Sequence, residues 1–324
     1  MSTKVLVTGV QGQDGSILAE KLVDQGFNVT GIGRRRLDDH SLRDRKLLSL
    51  GKNFEYRICD LRASSVVLDL VSSVKPKIIF NLAAMSSPAE SWDSPGNTLQ
   101  NDTVGFINLL DSVRLLCPES RVVQACTAAI YQSSTYPIDE DSIIKISNPY
   151  AAAKYSAFTI AQLYKSKYNL RISNAIMFNH ESIWRPEAFV TRKISKGVAR
   201  IANGLQNKLD LWSLTPVRDW GWAPEFMDAF TKIGMLDKSH DLVLATGVGA
   251  TIEDFVNYAF TCAGLNSKEY LEETKEPFST DVDISVGNPA RAEKFLDWKA
   301  RVTWKEVVEQ MVSYDLQQIS SRRL

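Results

Sequence analysis

The stretch KVLVTGVQGQDGSILAEKL, residues 4–22, joins a β-branched apolar run to an amphipathic helical run through a turn with three glycines spaced three residues apart. Glycine permits the tight turn and lets backbone N–H groups approach a pyrophosphate at the N-terminus of the helix. A glycine triplet alone could be a plain glycine-rich turn, but the order strand, turn, helix favours dinucleotide binding. We expect contacts from Gly9, Gln11, Gly12, Gln13, Asp14 and Gly15.

Five further runs extend this pattern along the chain: FNVTGIG, FEYRICD, KIIFNLAA, RVVQACT and RISNAIMF. They are apolar nearly throughout, which is typical of parallel strands covered on both faces, and helix-length segments separate them. The series predicts an α/β protein with a Rossmann-type doubly wound parallel sheet. We expect residues 1–178, with 219–260 returning to them, to form the cofactor domain, and 179–218 and 261–324 a smaller mixed α/β substrate domain.

Composition excludes several classes of protein. The 324 residues contain 38 Lys and Arg against 38 Asp and Glu, so no bulk charge favours nucleic acid or an anionic membrane. No apolar run approaches the roughly 18–20 residues that span a bilayer, and the first residues lack a signal-peptide pattern. The four cysteines show no CxxC spacing and the three histidines are scattered, so we expect reduced thiols, no metal and a cytoplasmic protein.

The end of the second strand bears on the choice of cofactor. GIGRRR places Arg34 and Arg35 where many NAD enzymes carry an acid for the ribose, and a guanidinium fits a 2′-phosphate instead. A solvated loop is the alternative, and Arg36 is interpreted in that way. We therefore expect NADP, with NAD possible. Asp60, after the third strand, is expected to accept from the adenine amino group or to cap a helix. Further contacts are expected from Leu61, Leu82, Ala83 and Ala84.

Three residues form a candidate catalytic set. The fifth strand ends at Thr127, and NPYAAAK places Tyr150 and Lys154 four residues apart, on one face of a helix. A lysine ammonium beside the phenol is expected to lower the pKa of Tyr150, so that it exchanges a proton with a substrate hydroxyl as hydride moves. Thr127 would bond the same oxygen. Tyr150 and Lys154 are expected to contact the cofactor as well.

These motifs together resemble the extended short-chain dehydrogenase/reductases, and among them most closely the GDP-mannose 4,6-dehydratase family. Matching stretches run almost end to end, including TGVQGQDGS, FNLAAMSS, NPYAAAKYSAF, NHES, FVTRKIS, RDWG and VGNPARAEKFLDWK. The resemblance implies a GDP-sugar substrate, NADP, and a homodimer or homotetramer. Dimers of the superfamily pair through helices that correspond here to 95–117 and 150–167. In tetramers, a loop matching RRRLDDHSLRDRK reaches the cofactor of a neighbouring subunit.

The resemblance also implies substrate contacts. A diphosphate requires fixed cations and donors, which arginines supply bidentately, although any one arginine could instead form a surface salt bridge. Glu181 is expected to hold loop structure rather than perform chemistry. The substrate-binding residues implied are Ser86, Asn179, Glu181, Arg185, Arg192, Lys193 and Arg218.

Two positions depart from the family pattern. The dehydratases carry a glutamate two residues after the catalytic threonine, where this chain has Ala129, preceded by Ala128 in place of a frequent serine. That carboxylate takes the C5 proton once C4 is a ketone, and alanine cannot. The family normally has an arginine at the position of Phe278, so the grip on the nucleotide is expected to differ.

The expected function follows from the chemistry that remains possible with alanine at position 129. Hydride transfer at C4 of a GDP-hexose or GDP-4-keto-6-deoxyhexose needs only the catalytic set and the cofactor, as in a 4-epimerase, 4-dehydrogenase or 4-keto reductase. One alternative is a 4,6-dehydratase with a relocated acid such as Glu90 or Glu181. Another is a weakly active nucleotide-sugar-binding partner subunit.

Overall fold

A parallel sheet forms the centre of the molecule. The computed structural model describes residues 2–274 and 283–321, so Phe278 lies outside the described residues. In these ranges the strands are β1 (Lys4–Thr8), β2 (Asn28–Gly33), β3 (Phe54–Ile58), β4 (Ile78–Asn81), β5 (Arg121–Thr127), β6 (Arg171–Met177), β7 (Asn179–Glu181), β8 (Leu209–Leu211), β9 (Val217–Trp222), β10 (Leu242–Leu244), β11 (Gly249–Thr251), β12 (Leu271–Glu273) and β13 (Ile284–Ser285).

Helices alternate with these strands and cover both faces of the sheet. They are α1 (Gln13–Asp24), α2 (Leu42–Leu48), α3 (Ser64–Val74), α4 (Glu90–Asp93), α5 (Pro95–Leu99), α6 (Gly105–Leu116), α7 (Pro149–Tyr168), α8 (Val190–Ala202), α9 (Ala223–Met235), α10 (Ile252–Cys262), α11 (Ser267–Tyr270), α12 (Ala290–Leu296) and α13 (Trp304–Ser320). A π turn at Gln100–Val104 joins α5 to α6, and short 3₁₀ turns lie at Gly51–Asn53 and Ala128–Ile130.

The predicted doubly wound fold is confirmed. The order in the large sheet is β10-β6-β5-β4-β1-β2-β3, with every neighbouring pair parallel. All six apolar runs noted in the sequence are strands of this sheet. The seventh strand, β10, was not predicted, because three apolar residues pairing with β6 at the edge give too short a pattern to recognise.

Two apolar layers enclose the large sheet. On one face α1 and α9 pack against it, and α3, α6 and α7 cover the other. A smaller sheet, in which β9 pairs with β7, β11 and β13, lies with α8, α10 and α13 over a third apolar cluster. The described chain therefore has the large sheet and the smaller unit that the sequence pattern suggested.

The segments do not divide quite as the expected boundaries did. Residues 223–244 return to the large sheet as α9 and β10, but α10, inside the expected 219–260 return, packs against α8 and α13. Ala292, Leu296 and Trp298, expected in the substrate domain, join the core beneath α9. We therefore propose that the cofactor domain comprises 1–178, 223–245 and 290–298.

A buried ion pair holds α13 to α8. Arg192 and Asp315 are 4% and 5% exposed, and the guanidinium binds the carboxylate directly. Arg192 also donates to the Ser195 hydroxyl at 3.2 Å. A pair buried this deeply contributes little in net terms, but removing one partner leaves an uncompensated charge in the interior.

Two features bear on the composition-based expectations. None of the helices in the described ranges is both long and apolar enough to cross a membrane. All four cysteines are free, with Cys59 and Cys126 buried, as expected.

We predict that Asp315→Ala lowers the free energy of unfolding by about 3–5 kcal/mol, because it leaves the Arg192 guanidinium buried without its anion. Urea unfolding measures the change. The control is Glu272→Ala, which removes the exposed Lys208–Glu272 pair and should change stability by less than about 1 kcal/mol. Equal effects of the two substitutions would contradict the assignment. The double variant Arg192→Met, Asp315→Leu should recover most of the loss.

Candidate active site

The glycine turn after β1 is shaped by close backbone contacts. Gly9 has a φ of +67°, and a Cβ there would lie 2.8 Å from the backbone of Ala83. A Cβ on Gly15 would lie 2.4 Å from the carbonyl oxygen of Gly9. Gly12 caps α1, so the free N–H groups of the first helical turn face the space that a side chain would otherwise fill. This cradle fits the pyrophosphate of a dinucleotide.

A cavity of about 420 Å³ opens beside this turn. Arg43 and Asn101 line it and were not singled out in the sequence. Arg43 comes from α2, ten residues beyond the strand end, where no spacing rule points. The lining includes the expected cofactor contacts Gly9, Gln11, Gly12, Gln13, Asp14, Gly15, Arg34, Arg35, Asp60, Leu61, Leu82, Ala83 and Ala84.

The arginines at this cavity differ in how they are held. The Arg34 guanidinium donates to the Asn101 amide oxygen at 3.0 Å, and Arg35 pairs with the fully buried Asp44 carboxylate. Arg43 has a buried Nε without a hydrogen-bond partner, and burial lowers its pKa. The guanidinium groups of Arg34 and Arg35 after β2 and of Arg43 on α2, which line one cavity, thus suit a phosphate anion, which takes charge-assisted hydrogen bonds.

Asp60 lies in the same cavity and does not cap a helix. Residue Ala63 occupies the cap of α3 with no side-chain bond. The Asp60 carboxylate instead accepts from the Arg62 backbone N–H at 3.0 Å and from its guanidinium at 2.6 Å, and this lowers the pKa of Asp60. Asp60 remains an acceptor in the cavity lining, and the capping alternative is wrong.

Asp14, in the lining of this cavity, forms a buried acid–imidazole pair with His180. His180 Nε2 lies 3.0 Å from the Asp14 carboxylate, and its Nδ1 lies 2.7 Å from the Phe178 carbonyl. Burial alone would raise the pKa of Asp14, but His180 holds it at about 2; Asp14 in turn raises the pKa of His180 against the effect of burial. A protonated His180 offsets the negative charge of Asp14 beside the glycine turn. The sequence analysis missed His180, although NHES contains it.

Helix α7, which carries the candidate catalytic residues Tyr150 and Lys154, begins where its sequence indicates. The Asn148 side chain accepts from the Ala151 N–H at 2.8 Å, and Pro149 occupies the first helical position, where its lost N–H has no consequence. Tyr150 and Lys154 are consequently one turn apart and both buried. The Lys154 ammonium donates to the Ala125 carbonyl on β5 at 2.8 Å.

The ionisation of Tyr150 differs from the expectation. Burial raises the pKa of its phenol, whereas Lys154 and a hydrogen bond from Thr127 lower it, and burial prevails. Lys154 thus lowers the pKa as predicted, but the net shift is upward because the desolvation of the buried phenolate exceeds the effect of one ammonium. Near neutral pH Tyr150 is a phenol, the form that donates a proton.

A second cavity, of about 410 Å³, adjoins the first and shares Asp14, Leu82, Ala84, Ser86 and Arg185 with it. Residues from both units of the fold meet here. It brings together Thr127, Tyr150, Lys154, Ala128, Ala129, Asn179, Arg185 and Arg218.

Some implied substrate contacts lie elsewhere. The Arg192 guanidinium forms the buried ion pair with Asp315. Lys193 is an exposed residue of α8, and neither residue is among the described lining of the second cavity. Glu181 is 1% exposed; its carboxylate accepts from the Thr191 hydroxyl at 2.7 Å and pairs with Arg185 at 3.1 Å. Glu181 thus orients Arg185 rather than facing the cavity. Residues of the motif FVTRKIS, such as Thr191 and Arg192, are therefore buried in the packing of α8.

Few carboxylates reach the catalytic cavity. Among its described lining residues the only acids are Asp14, which pairs with His180, and Asp283, which pairs with the Arg218 guanidinium. Glu90, like Glu181, is not part of this lining. Ala129 lies in the cavity with its N–H bonded to the Thr127 hydroxyl at 3.2 Å. Among the described residues that line this cavity, none therefore presents a carboxylate without a partner.

The fold and site define an extended short-chain dehydrogenase/reductase of the nucleotide-sugar-modifying type. Solved structures share the fold over nearly all of both chains. A dTDP-glucose 4,6-dehydratase from Bacillus anthracis in complex with NAD superposes with a TM-score of 0.85 at 18% identity, covering 98% of this chain and 98% of that one. The RMD protein of Pseudomonas aeruginosa complexed with NADPH gives 0.81 at 19%, covering 98% and 100%.

Sequence comparison identifies the family. The chain belongs to the GDP-mannose 4,6 dehydratase family, whose profile matches residues 6–311. GDP-mannose 4,6 dehydratase 2 of Caenorhabditis elegans is 35% identical, covering 96% of this chain and 88% of that protein. GDP-mannose 4,6-dehydratase of Vibrio cholerae serotype O1 is 33% identical, covering 100% and 96%. The resemblance noted in the sequence is thereby confirmed.

Proposed function

We propose that this protein catalyses NADP-dependent hydride transfer at C4 of a GDP-linked sugar, either a GDP-hexose or a GDP-4-keto-6-deoxyhexose, without 4,6-elimination. The reaction is that of a 4-epimerase, a 4-dehydrogenase or a 4-keto reductase. One observation carries this proposal: the cavity combines Thr127, Tyr150 and Lys154 with alanine at position 129.

The two halves of a dehydratase reaction use different groups. NADP held at the glycine turn and at Arg34 and Arg35 would supply the hydride acceptor or donor. Tyr150 exchanges the proton of the C4 oxygen, Thr127 bonds that oxygen, and Lys154 holds positive charge beside them. Removal of the C5 proton requires a separate base, and the resemblance to the dehydratases implies that this base is a glutamate at the position of Ala129. A methyl group there has neither charge nor proton.

The second candidate function is a 4,6-dehydratase with a relocated acid, and the family match favours it. Glu90 and Glu181 are poor candidates for that acid, since neither belongs to the described lining. Asp283 is the carboxylate to test, because it lines the cavity. Its partner Arg218 could pair with a substrate phosphate instead, which would free the Asp283 carboxylate. A weakly active nucleotide-sugar-binding subunit, the third candidate, has no use for a buried Tyr150 and Lys154.

The proposed cofactor is NADP, with NAD the alternative. Support comes from the glycine turn, where a Cβ on Gly9 or Gly15 would clash with backbone atoms. It comes also from Arg34, Arg35 and Arg43, which line the same cavity. Asn179, Ser86, Arg185 and Arg218 are the proposed contacts of the sugar nucleotide. Of these, Arg185 is poised between the two cavities, where the cofactor and the substrate diphosphate would both be within its reach.

The proposed assembly is a homodimer or homotetramer in the cytoplasm. Apolar side chains lie exposed on the helices through which the superfamily pairs: Leu99 on α5, Val104 on the π turn and Leu163 on α7. These elements contact one another, and exposed apolar side chains on neighbouring helices are typical of an interaction surface. The free cysteines suit a reducing compartment.

We predict that the purified protein with GDP-mannose and NADP produces no dehydrated sugar, and that Ala129→Glu creates or raises water loss. Mass spectrometry distinguishes the outcomes. Loss of two hydrogens with NADPH formation indicates a 4-dehydrogenase, whereas an unchanged mass leaves an epimerase, resolved by NMR, or a reductase, tested with GDP-4-keto-6-deoxymannose and NADPH.

Two controls accompany this assay. Tyr150→Phe should abolish turnover and keep binding; equal turnover in this variant would remove hydride chemistry from the proposal. Loss of water by the unaltered protein would establish the dehydratase instead, and Asp283→Asn would then test the relocated acid.

We predict that Arg34→Ala weakens NADP binding by about tenfold or more and leaves NAD binding within about twofold, because it removes charge-assisted hydrogen bonds to the 2′-phosphate. Calorimetric titration measures both. Arg36→Ala, an exposed neighbour outside the cavity lining, is the matched control. A parallel loss of both cofactors in Arg34→Ala would contradict a phosphate contact.

We predict that Leu163→Glu converts the assembly to particles of the 36.2 kDa chain mass, because it places a charge in the apolar interface. Light scattering after gel filtration measures the mass. Leu205→Glu changes a leucine of similar exposure, 59% against 56%, away from these helices and should leave the assembly intact. A monomeric unaltered protein would refute the proposed oligomer.

A further inference from the structure

The π turn at Gln100–Val104 carries a buried acid, Asp102, which is 2% exposed. Such turns insert an extra residue into a helix and occur frequently at functional sites. The next residue, Thr103, donates from its hydroxyl to the carbonyl of Ala153 at 3.0 Å. Because Ala153 directly precedes Lys154, the turn is fixed to α7 at the catalytic lysine.

The two oxygens of Asp102 have different surroundings. One accepts from the Met85 N–H at 2.8 Å, in the loop after β4 that borders both cavities. The other is buried and has no hydrogen-bond partner. A buried carboxylate oxygen without a donor is unfavourable, and an asparagine would hold Met85 equally well. A structural role toward Met85 therefore does not account for an acid at this position.

Charges from three elements act on Asp102 or respond to it. Burial raises the pKa of Asp102 to about 6, while Lys154 on α7 and Arg34 after β2 oppose this rise. In turn, the carboxylate raises the pKa of Tyr150. Cys126 on β5 is also coupled to Lys154, but burial raises the pKa of this thiol to about 11, so it stays neutral. Asp102 is accordingly ionised above about pH 6 and neutral below it.

We propose that Asp102 is a positioning residue whose buried carboxylate balances the Lys154 ammonium and thereby sets the protonation of Tyr150. With Lys154 alone, the net positive charge favours the phenolate. With ionised Asp102 beside it, the local charge is balanced and Tyr150 keeps the proton that a C4 carbonyl must receive. The catalytic part of this inference rests on the proposed hydride transfer at C4.

The test is Asp102→Asn, which keeps an acceptor for Met85 and removes the charge. Above about pH 6 the variant lacks an anion, so its Tyr150 should titrate about one pH unit lower than in the unaltered protein. The rate of 4-keto reduction should then fall at correspondingly lower pH. Below about pH 6, where Asp102 is neutral in both proteins, the two profiles should converge.

Thr103→Val is the matched control, since it breaks the bond of the turn to Ala153 and leaves the charge unchanged. A merely structural role of the turn predicts the same factor at every pH for both variants. That result for Asp102→Asn would overturn the proposal.

A second readout needs no substrate. With carbon-13 at aspartate carboxyl and tyrosine phenol carbons, the signals absent from Asp102→Asn and Tyr150→Phe identify the two groups by NMR. The Asp102 signal should titrate near pH 6, and the Tyr150 signal should titrate lower in Asp102→Asn. An unmoved Tyr150 titration overturns the inference. The expected titrations without any sugar turnover would support it and refute the proposed function instead.

Discussion

A buried polar network at the carboxyl ends of β1, β4 and β5 is the constraint on which the site depends. Thr8 donates to the Asn81 side chain, whose amide donates to Gln124 at 2.6 Å, and all three residues are buried. The Thr8 hydroxyl also accepts the N–H groups of Leu82 and Ala83 at 3.1 Å. A buried network of this kind tolerates one register only, since a slip would leave each member without its partner.

This register places the chemistry. β1 ends at the glycine turn, β4 at the loop that contacts Gly9, and β5 at Thr127, so the three strand ends form one edge. Ligands of doubly wound sheets bind at that edge because the following helices begin there. The smaller unit then closes the edge with Asn179, Arg185 and Arg218, which produces two contiguous cavities instead of one open crevice.

Much of this arrangement is readable in the sequence, for physical reasons that also explain the failures. Continuous apolar runs predict strands covered on both faces, and the spacing of the glycines predicts the tight turn after β1. Both patterns depend only on residues that are close in sequence. Arg192 was misjudged because its partner Asp315 is over a hundred residues away, and a motif does not show which way a side chain turns. The net rise in the pKa of Tyr150 was not predicted for a similar reason: the sequence shows the lysine four residues away and its lowering effect, whereas burial is a property of the assembled fold.

In the proposed function, the lack of a carboxylate at position 129 separates hydride transfer from elimination because the two steps use different side chains at this edge. The proton of the C4 oxygen is handled from α7 and the end of β5, while the C5 proton would be taken from the 3₁₀ turn Ala128–Ile130. That turn is held by the bond from Ala129 N–H to Thr127, which involves only backbone at position 129 and is indifferent to its side chain. Glutamate or alanine at position 129 is therefore equally compatible with this hydrogen bond and with the position of Thr127. A scaffold built in this way can lose elimination without disturbing the groups that exchange a hydride and a proton at C4.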